Sequence, residues 1–411
     1  WQPLPGAAGL GWRRTVLRRP APLLRLPLAG LALAGVAMPR APPPRGHPRR
    51  PADRAAGERR RPPPGLGKSE GSATDSEAVP SASHPQPPTS ATDATAAVSR
   101  LDRDWGHQHH WHWRGLRCHW RRLGSSTAPP LLLVHGFGAG SGHWRRNALP
   151  LAAAGWQVYA LDLIGFGDSC QPRLRLDNRL WARQVQAFLE EVVGQPAVLV
   201  GHSLGGLVVL SCSVFFPAWV RAVVAAPLPD PTLLLAPPAR RGPWRRRLQR
   251  VAVRWLCRLL PLELIVPLLA HSPLLDLGIQ MAYHGPVLGD DDLHTVMARP
   301  ARRAEAAISL RAMSIGMALR PPAATAAALL PRLRRPLLLL WGRQDRLVPL
   351  DVARQCRRLR PDLPLLVLDH AGHCPHDEAA EAFNTVLLQW LAALEGADQA
   401  PLAGAGTYLG A

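Results

Sequence analysis

Short apolar runs alternate with longer helical patterns between residues 105 and 396. Six runs read as strands: LLLV (131–134), QVYAL (157–161), AVLV (197–200), RAVVAA (221–226), LLLLW (337–341) and LLVLD (365–369). Most of them are continuously apolar, which is typical of strands that are buried on both faces of a parallel sheet. Because helical stretches separate these strands, the pattern predicts an α/β fold with a mostly parallel, doubly covered sheet.

Two segments carry a clear helical period. LWARQVQAFLEEVVG (180–194) ends at a glycine suited to cap a helix, and EAAEAFNTVLLQWLAAL (378–394) closes the domain. From Pro227 to about Pro336 no strand pattern occurs, and helical segments are broken by Pro and Gly. This stretch is too long for a simple connection. We therefore expect an inserted helical cap at about 228–335.

The beginning of the chain has a different composition. Residues 1–52 contain nine arginines and no Asp or Glu, with a short apolar run at 23–38. This is typical of an organelle transit peptide, although the scarcity of serine departs from that pattern, and a secretory or two-step plastid signal also fits. The following residues are rich in Pro, Ala, Ser and Thr and cannot bury enough apolar surface to fold. We expect a transit peptide at 1–50, a disordered linker at 51–104, a folded domain at 105–396 and a flexible tail at 397–411.

The formal net charge is +20, and Lys68 is the one lysine in the chain. Nearly all positive charge is therefore arginine, which indicates a compositional bias of the genome. No nucleic-acid-binding pattern accompanies it, so no nucleic-acid partner is expected. The six cysteines form no C-x-x-C pair, which fits a reducing compartment without a disulfide framework.

The segment Gly201-His202-Ser203-Leu204-Gly205 lies between a predicted strand and a predicted helix. A G-x-S-x-G sequence in this context is a nucleophile elbow, in which a tight turn exposes the serine hydroxyl at a helix N-terminus. The glycines are required because a Cβ at either position would collide with neighbouring backbone. Ser203 is the predicted nucleophile.

A serine needs a base and an orienting carboxylate, and hydrolases with this elbow carry them in the order Ser, acid, His. Asp345 follows the strand LLLLW and is the predicted acid, with Asp230 after RAVVAA as its rival. The loop LDHAGHCPHDE (368–378) follows the last strand, and the small residues before His373 let it bend toward the sheet. His373 is the predicted base. We expect His376 to bond locally to Asp377 or Glu378.

Backbone N–H groups of Phe137 and Leu204 are the predicted oxyanion hole, since LLLVHGFG ends a strand in an HG-type loop. His135 and Asp162 are expected to support loops rather than to act chemically. Neither the 368–378 loop nor the cluster HQHHWHWRG (107–115) has further ligands at suitable spacing, so no metal is expected. The cluster is interpreted as the start of an edge strand.

Across roughly 105–396 the chain resembles the α/β-hydrolase superfamily and, within it, the pheophytinase-like group of plastids and cyanobacteria. The resemblance rests on HWHWRG, LLLVHGFGAGSGHW, VYALDLIGFGDS, LWARQVQAFLEEVVGQPAVLVGHSLGG and AGHCPHDEAAEAFN, with AGHCPHDE as the most specific. It implies Ser203, Asp345 and His373 as the triad, hydrolysis of the phytyl ester of pheophytin without a cofactor, and a chloroplast location. His202 departs from the Asn expected there in plant members.

The cap segment at 243–269 combines arginines with a broad apolar surface. Such a helix could roof a pocket for a lipophilic ester, contact a membrane peripherally, or pack on its own domain. Two other functions stay open: a general carboxylesterase or lipase, and a non-catalytic binding protein with this fold. The complete Ser203, Asp345 and His373 set argues against the second of these.

Overall fold

The computed structural model describes residues 104–234 and 243–399. The predicted transit peptide, nearly all of the linker and nearly all of the tail lie outside the described residues. Eight strands form one sheet: β1 (His107–Trp113), β2 (Leu116–Leu123), β3 (Pro130–Val134), β4 (Gln157–Leu161), β5 (Ala197–His202), β6 (Val220–Ala226), β7 (Leu337–Gly342) and β8 (Leu365–Leu368).

The order of the strands in the sheet is β1-β2-β4-β3-β5-β6-β7-β8. β2 runs antiparallel to both β1 and β4, and all other neighbours are parallel. All six strands predicted from apolar runs are present, and the HQHHWHW segment forms the edge strand β1 as expected. The carboxyl ends of β5, β7 and β8 lie at one edge of the sheet, where ligands bind in open α/β sheets.

Helices cover the sheet and fill the connection between β6 and β7. They are α1 (Ala148–Ala153), α2 (Asn178–Phe188), α3 (Leu204–Phe215), α4 (Pro243–Leu259), α5 (Leu262–Ala270), α6 (Leu274–Ala282), α7 (Asp291–Ala301), α8 (Ala306–Ala318), α9 (Ala326–Leu329), α10 (Leu350–Leu359), α11 (Pro375–Glu378) and α12 (Ala380–Gln399). A π-helical turn, Leu189–Val193, extends α2 to Gly194, which has a φ of 76° and caps the helix as predicted.

Strand β3 shows why the central runs are continuously apolar. Leu132 and Val134 lie in the hydrophobic core on one face of the sheet, whereas Leu131 and Leu133 lie in the core on the other face. All four side chains are completely buried. Because successive side chains of a strand point to opposite faces, a strand covered on both faces has no polar positions to alternate with.

Within the described residues, no strand interrupts the chain between β6 and β7. Helices α4 to α9 occupy this connection and form the cap, with α5 and α4 both packed on α8. Pro267 lies inside α5 and Pro300 inside α7, so these prolines do not break the cap helices where the sequence pattern suggested breaks. A proline in a helix interior removes one backbone hydrogen bond from that helix.

Candidate active site

Ser203 occupies a strained turn between β5 and α3. Its φ of 50° and ψ of −116° are unusual for a residue with a side chain, as expected of a nucleophile elbow. A Cβ on Gly201 would come within 2.4 Å of the Gly205 carbonyl group. One on Gly205 would come within 2.1 Å of the Val134 carbonyl oxygen. Both glycines are therefore required by close approach of backbone, which places the serine hydroxyl above the sheet edge.

A continuous hydrogen-bond chain joins the three residues predicted to act together. The Ser203 Oγ lies 2.8 Å from Nε2 of His373, and Nδ1 of His373 lies 2.9 Å from Oδ2 of Asp345. The three residues are only 7 to 8% exposed. With Nδ1–H donated to the carboxylate, Nε2 carries the lone pair that can accept the serine proton. The arrangement is that of a nucleophile with its base and orienting acid.

Asp345 is fixed by the turn that follows β7. Its Oδ1 accepts backbone N–H bonds from Leu347 and Val348, both at 2.8 Å, which leaves Oδ2 for His373. The rival acid, Asp230, has other partners. Its carboxylate forms a buried ion pair with Arg320 at 2.9 Å, and it accepts the N–H of Ala326 at 2.7 Å. Asp230 therefore ties the start of the cap to the cap's last helix.

The loop that carries His373 is held from two sides. The His373 N–H donates to the carbonyl of Ala282, the last residue of α6, at 2.7 Å. The His373 carbonyl accepts from Nε2 of His202 at 2.9 Å, which fixes the His202 tautomer with its proton on Nε2. The Glu378 carboxylate accepts Gly372 N–H with one oxygen, and His284 N–H and Gly285 N–H with the other, at 2.5 to 2.6 Å. The predicted base is thus positioned by the cap as well as by the elbow.

The predicted oxyanion hole lies where the loop after β3 meets the elbow after β5. Val134 at the end of β3 is paired with Gly201 in β5, and Gly205 packs on the carbonyls of Val134 and His135. Leu204 is the first residue of α3, so its N–H has no intrahelical carbonyl to bind. Phe137 follows in the touching loop and is 51% exposed. His135 supports this loop by accepting Leu163 N–H at 3.0 Å on Nε2, as expected.

Comparison with known proteins agrees with this geometry. The family model for the alpha/beta hydrolase fold matches residues 129–380, which is more than half of the chain. The chain belongs to the α/β-hydrolase family. This hydrolase is 24% identical over 327 residues to chloroplastic pheophytinase of Arabidopsis thaliana, a match that covers 70% of this chain and 66% of that protein. It is 26% identical to a 2-hydroxy-6-oxononadienedioate/2-hydroxy-6-oxononatrienedioate hydrolase of a Pseudomonas species, covering 64% of this chain and 87% of that one.

Solved structures show the same fold. A bacterial membrane phospholipase A superposes with a TM-score of 0.57 at 24% identity, covering 74% of this chain and 92% of that one. A thioesterase domain from the curacin biosynthetic pathway superposes with a TM-score of 0.55 at 20% identity, covering 69% and 99% of the two chains. These similarities establish the α/β-hydrolase fold of the chain.

Three buried histidines pack behind the elbow of the hydrolase. His202 and His376 have ring centroids 4.3 Å apart, and His143 lies 4.5 Å from His376. Burial lowers the pKa of His143 to about 4 and lowers those of His202 and His376 well below the ordinary value, so all three are neutral at pH 7. The expectation that His376 bonds to Asp377 or Glu378 is wrong. Both of its ring nitrogens are buried without a hydrogen-bond partner among the described residues.

Asp377 instead belongs to a network that reaches the cap. Arg145 binds the carboxylates of Asp377 and Asp290 with two hydrogen bonds each. The Tyr283 hydroxyl donates to Asp377 and accepts from His143, both at 2.9 Å. Burial alone would raise the pKa of Asp377, but the bonds from Arg145 hold it below the ordinary value. The network joins the α1 region, the loop that carries His373 and the cap.

Two groups in the described chain bring three potential metal ligands together. His143, His202 and His376 offer nitrogens within 4.8 Å of one another, as do atoms of His119, Asp162 and Asp168. The rings of the first group pack on each other at van der Waals separations. In the second group, burial would raise the pKa of Asp162, but hydrogen bonds from His119 and from backbone N–H groups hold it low. Asp162 therefore braces its loop, as expected.

The sequence predicted Ser203, Asp345, His373, Phe137 and Leu204 as site residues. Hydrogen bonds join the first three, Leu204 follows Ser203 as the first residue of α3, and Phe137 lies in the loop after β3, the strand that pairs with β5. The sequence did not predict the positioning contacts of His202, Glu378 and Ala282. A signal for Glu378 existed, because it lies just past the base in AGHCPHDE. Its backbone partners at 284 and 285 could not be found from spacing, because they belong to the cap.

Proposed function

We propose that the protein is a serine esterase that cleaves the carboxylic ester of a bulky lipophilic alcohol, with the phytyl ester of pheophytin as the substrate. The observation that carries the proposal is the unbroken hydrogen-bond chain from Ser203 through His373 to Asp345. It begins at an elbow whose strained backbone presents the hydroxyl. A binding protein has no need of this arrangement, whereas acyl transfer needs each part of it.

The reaction follows from the positions of these groups. Ser203 Oγ attacks the ester carbonyl carbon while His373 Nε2 takes its proton, and the N–H groups of Phe137 and Leu204 stabilise the oxyanion. The protonated His373, stabilised by Asp345, then donates the proton to the leaving alcohol. Water attacks the resulting acyl-enzyme with His373 again as the base, which releases the acid and restores Ser203. Every step uses groups of the chain and water.

Two observations support a lipophilic substrate. The chain is similar over 327 residues to a chloroplastic pheophytinase, and its cap carries exposed apolar side chains, of which Met281 adjoins the residue whose carbonyl binds the His373 N–H. The Phe137 ring lies beside that of Phe166, with centroids 5.8 Å apart, and is half exposed in the loop that follows β3. Exposed apolar side chains in this loop and in the cap favour a long hydrocarbon group over a charged one.

The test incubates the full chain and its Ser203→Ala variant with pheophytin and quantifies phytol release. The parent is expected to release phytol, and the variant is expected to lose at least about 10⁴-fold in rate. Release by both proteins would exclude Ser203 as the nucleophile. No release by the parent would exclude the pheophytin assignment.

A fluorophosphonate probe separates the reaction class from the substrate. It reacts covalently with activated serines whatever the natural ester is. Labelling of the parent at Ser203 together with inactivity on pheophytin would favour a general carboxylesterase or lipase, to be tested on short and long acyl esters. Absence of labelling in a folded parent would favour a non-catalytic protein.

A further inference from the structure

Most of the large apolar side chains that are exposed in the described chain lie in the cap. Twelve of the eighteen large apolar side chains that are exposed lie between residues 244 and 288. We call these twelve the apolar cap surface: Trp244, Leu248, Val251, Trp255, Leu256, Leu259, Leu264, Leu268, Leu274, Leu277, Met281 and Leu288. Trp255 is 61% exposed and Leu264 is 74% exposed. A concentration of this kind marks an interaction surface, because large exposed apolar patches are rare on soluble proteins.

The exposed residues form stripes along three consecutive helices. In α4, residues 244, 248, 251, 255 and 259 follow each other at intervals of three or four, which places them on one face. Leu264 and Leu268 have the same relation in α5, and Leu274, Leu277 and Met281 have it in α6. Since each of the helices α4, α5 and α6 has such a stripe, the apolar cap surface does not depend on a single helix.

The charge beside these stripes is positive. Arg247, Arg254 and Arg258 are exposed, and their spacing of seven and four places them together along one side of the apolar face of α4. No ion pair joins any of the three to a carboxylate among the described residues. The segment 243–288 contains six arginines and two acids. Both acids have partners, Glu263 with Arg311 and Asp276 with His294.

We propose that the apolar cap surface docks the hydrolase on an anionic lipid bilayer, with the α4–α6 stripes in the acyl boundary and the arginines at the headgroups. An amphipathic helix with Trp and Leu on one face and arginines along its border has the chemistry of an interfacial helix. Each arginine near an anionic surface adds attraction. A bilayer fits better than a protein partner, since the surface offers hydrocarbon and positive charge with few hydrogen-bonding groups.

The hydropathy of α5 and α6 points the same way. In the described parts of the chain no single helix is long and apolar enough to cross a membrane. The pair Leu262–Ala270 and Leu274–Ala282 reaches the required length and hydropathy only together, and it is bent by 82°. Two short apolar helices bent this sharply suit a position in the interface, where each helix lies along the surface.

Docking would act directly on the site. The last carbonyl of α6, that of Ala282, accepts the His373 N–H, and the N–H groups of His284 and Gly285, two and three residues further along the chain, bind Glu378 in the loop that carries His373. The helix α6, which would lie in the bilayer, therefore ends at a residue that is hydrogen-bonded to the backbone of His373. A lipophilic ester dissolved in the membrane would meet the hydrolase on this side.

The test measures binding of the full chain to vesicles without any ester, so its outcome is independent of the proposed esterase activity. Vesicles of equal parts phosphatidylcholine and phosphatidylglycerol are compared with pure phosphatidylcholine by co-sedimentation. The apolar variant is Leu248→Gln/Trp255→Gln/Leu259→Gln. Its matched control is Leu149→Gln/Leu359→Gln/Leu366→Gln, which changes three exposed leucines outside the cap. Both variants keep every charge, including those of the arginine-rich residues 1–52.

The apolar variant is expected to bind mixed vesicles at least about tenfold more weakly than the parent, and the control to bind like the parent. Arg247→Gln/Arg254→Gln/Arg258→Gln is expected to lose preference for the anionic vesicles by about fivefold per arginine. Parental binding by the apolar variant would overturn the proposal, as would an equal loss in the control. A lipid-free parent dimer that the apolar variant cannot form would assign the surface to a second copy instead.

Discussion

The sheet edge around Ser203 and the cap between β6 and β7 differ in which side chains they bury. The edge buries polar side chains, whereas the cap exposes apolar ones. At the edge, Ser203, His373 and Asp345 are nearly buried, and each side chain is fixed by a specific hydrogen bond. In the cap, the leucines and tryptophans of the apolar cap surface are more than half exposed. A buried, preorganised edge stabilises developing charge without rearrangement. An exposed apolar cap suits the binding of poorly water-soluble molecules and of lipid surfaces. The contrast separates the hydrogen-bonded residues to which we assign the chemistry from the surface to which we assign membrane docking.

The sharpest way to test the edge is to compare its two buried aspartates. Asp345→Asn is expected to lower kcat/KM for p-nitrophenyl butyrate by about 10⁴-fold, because the amide no longer stabilises the His373 imidazolium or its tautomer. The fold should change little, since the Asn oxygen can still accept the Leu347 and Val348 N–H groups. Steady-state hydrolysis and urea unfolding of both variants measure these effects.

Asp230→Asn is the matched control. It leaves the buried Arg320 without its carboxylate, so the free energy of unfolding is expected to fall by about 3 kcal/mol, while folded protein retains its turnover. Loss of turnover in folded Asp230→Asn, combined with an active Asp345→Asn, would mean that Asp230 is the orienting acid and that Asp345 is not.

The next largest effect concerns the link between the two regions. In Glu378→Gln a single acceptor oxygen replaces two, so the side chain can bind either Gly372 or the cap N–H groups of His284 and Gly285, but not both. We expect kcat to fall about tenfold with KM nearly unchanged, as a displaced base would require. The rate of fluorophosphonate labelling should fall by the same factor.

The control for this variant is Glu381→Gln, which changes an exposed carboxylate three residues further along the chain. It should leave kcat and the rate of labelling unchanged. If Glu378→Gln lowers the free energy of unfolding but labels at the parental rate, then Glu378 supports the fold without positioning the base.

The sheet edge was largely predictable from sequence, and the reason is local. Buried parallel strands leave continuous apolar runs, and the elbow needs glycines on both sides of Ser203 within five residues. The acid and the base could then be placed because β7 and β8 end at the same edge. Each of these inferences depends on a short segment and on a rule about where strands end.

The cap and the histidine cluster were not predictable in the same way. Whether Trp255 faces solvent or a neighbouring helix depends on what packs beside α4, which periodicity does not determine. The expectation for His376 failed because its ring is enclosed by His143 and His202 from two distant segments. Long-range packing decides such side chains, and a local bond to the adjacent acid was the wrong inference.

A smaller effect per residue is expected when the pH is lowered. Burial lowers the pKa of His143 to about 4 and those of His135, His202 and His376 below the ordinary value of 6.5. Below pH 6.5 the unfolded chain therefore binds more protons than the folded one, so stability is complete above 6.5 and falls as the pH decreases. Each such histidine should cost about 1 kcal/mol between about pH 7.5 and 5.5.

Urea unfolding at the two pH values measures this loss, and one histidine can be removed as a control. His143→Gln should reduce the loss of stability on acidification by the contribution of one histidine, whatever its effect at pH 7.5. The same loss in both proteins would mean that His143 does not take up a proton on unfolding.

The smallest effect tests whether the cluster behind the elbow is packed as a dry core. Both ring nitrogens of His376 are buried without a partner in the described chain, and such groups lower stability. His376→Phe keeps a planar ring of similar size, so the free energy of unfolding should stay the same or rise by up to about 1 kcal/mol. The backbone carbonyl of His376 still accepts from Asn147, which keeps the loop in place. A loss of more than about 1 kcal/mol would show that the nitrogens bind water or an ion in solution.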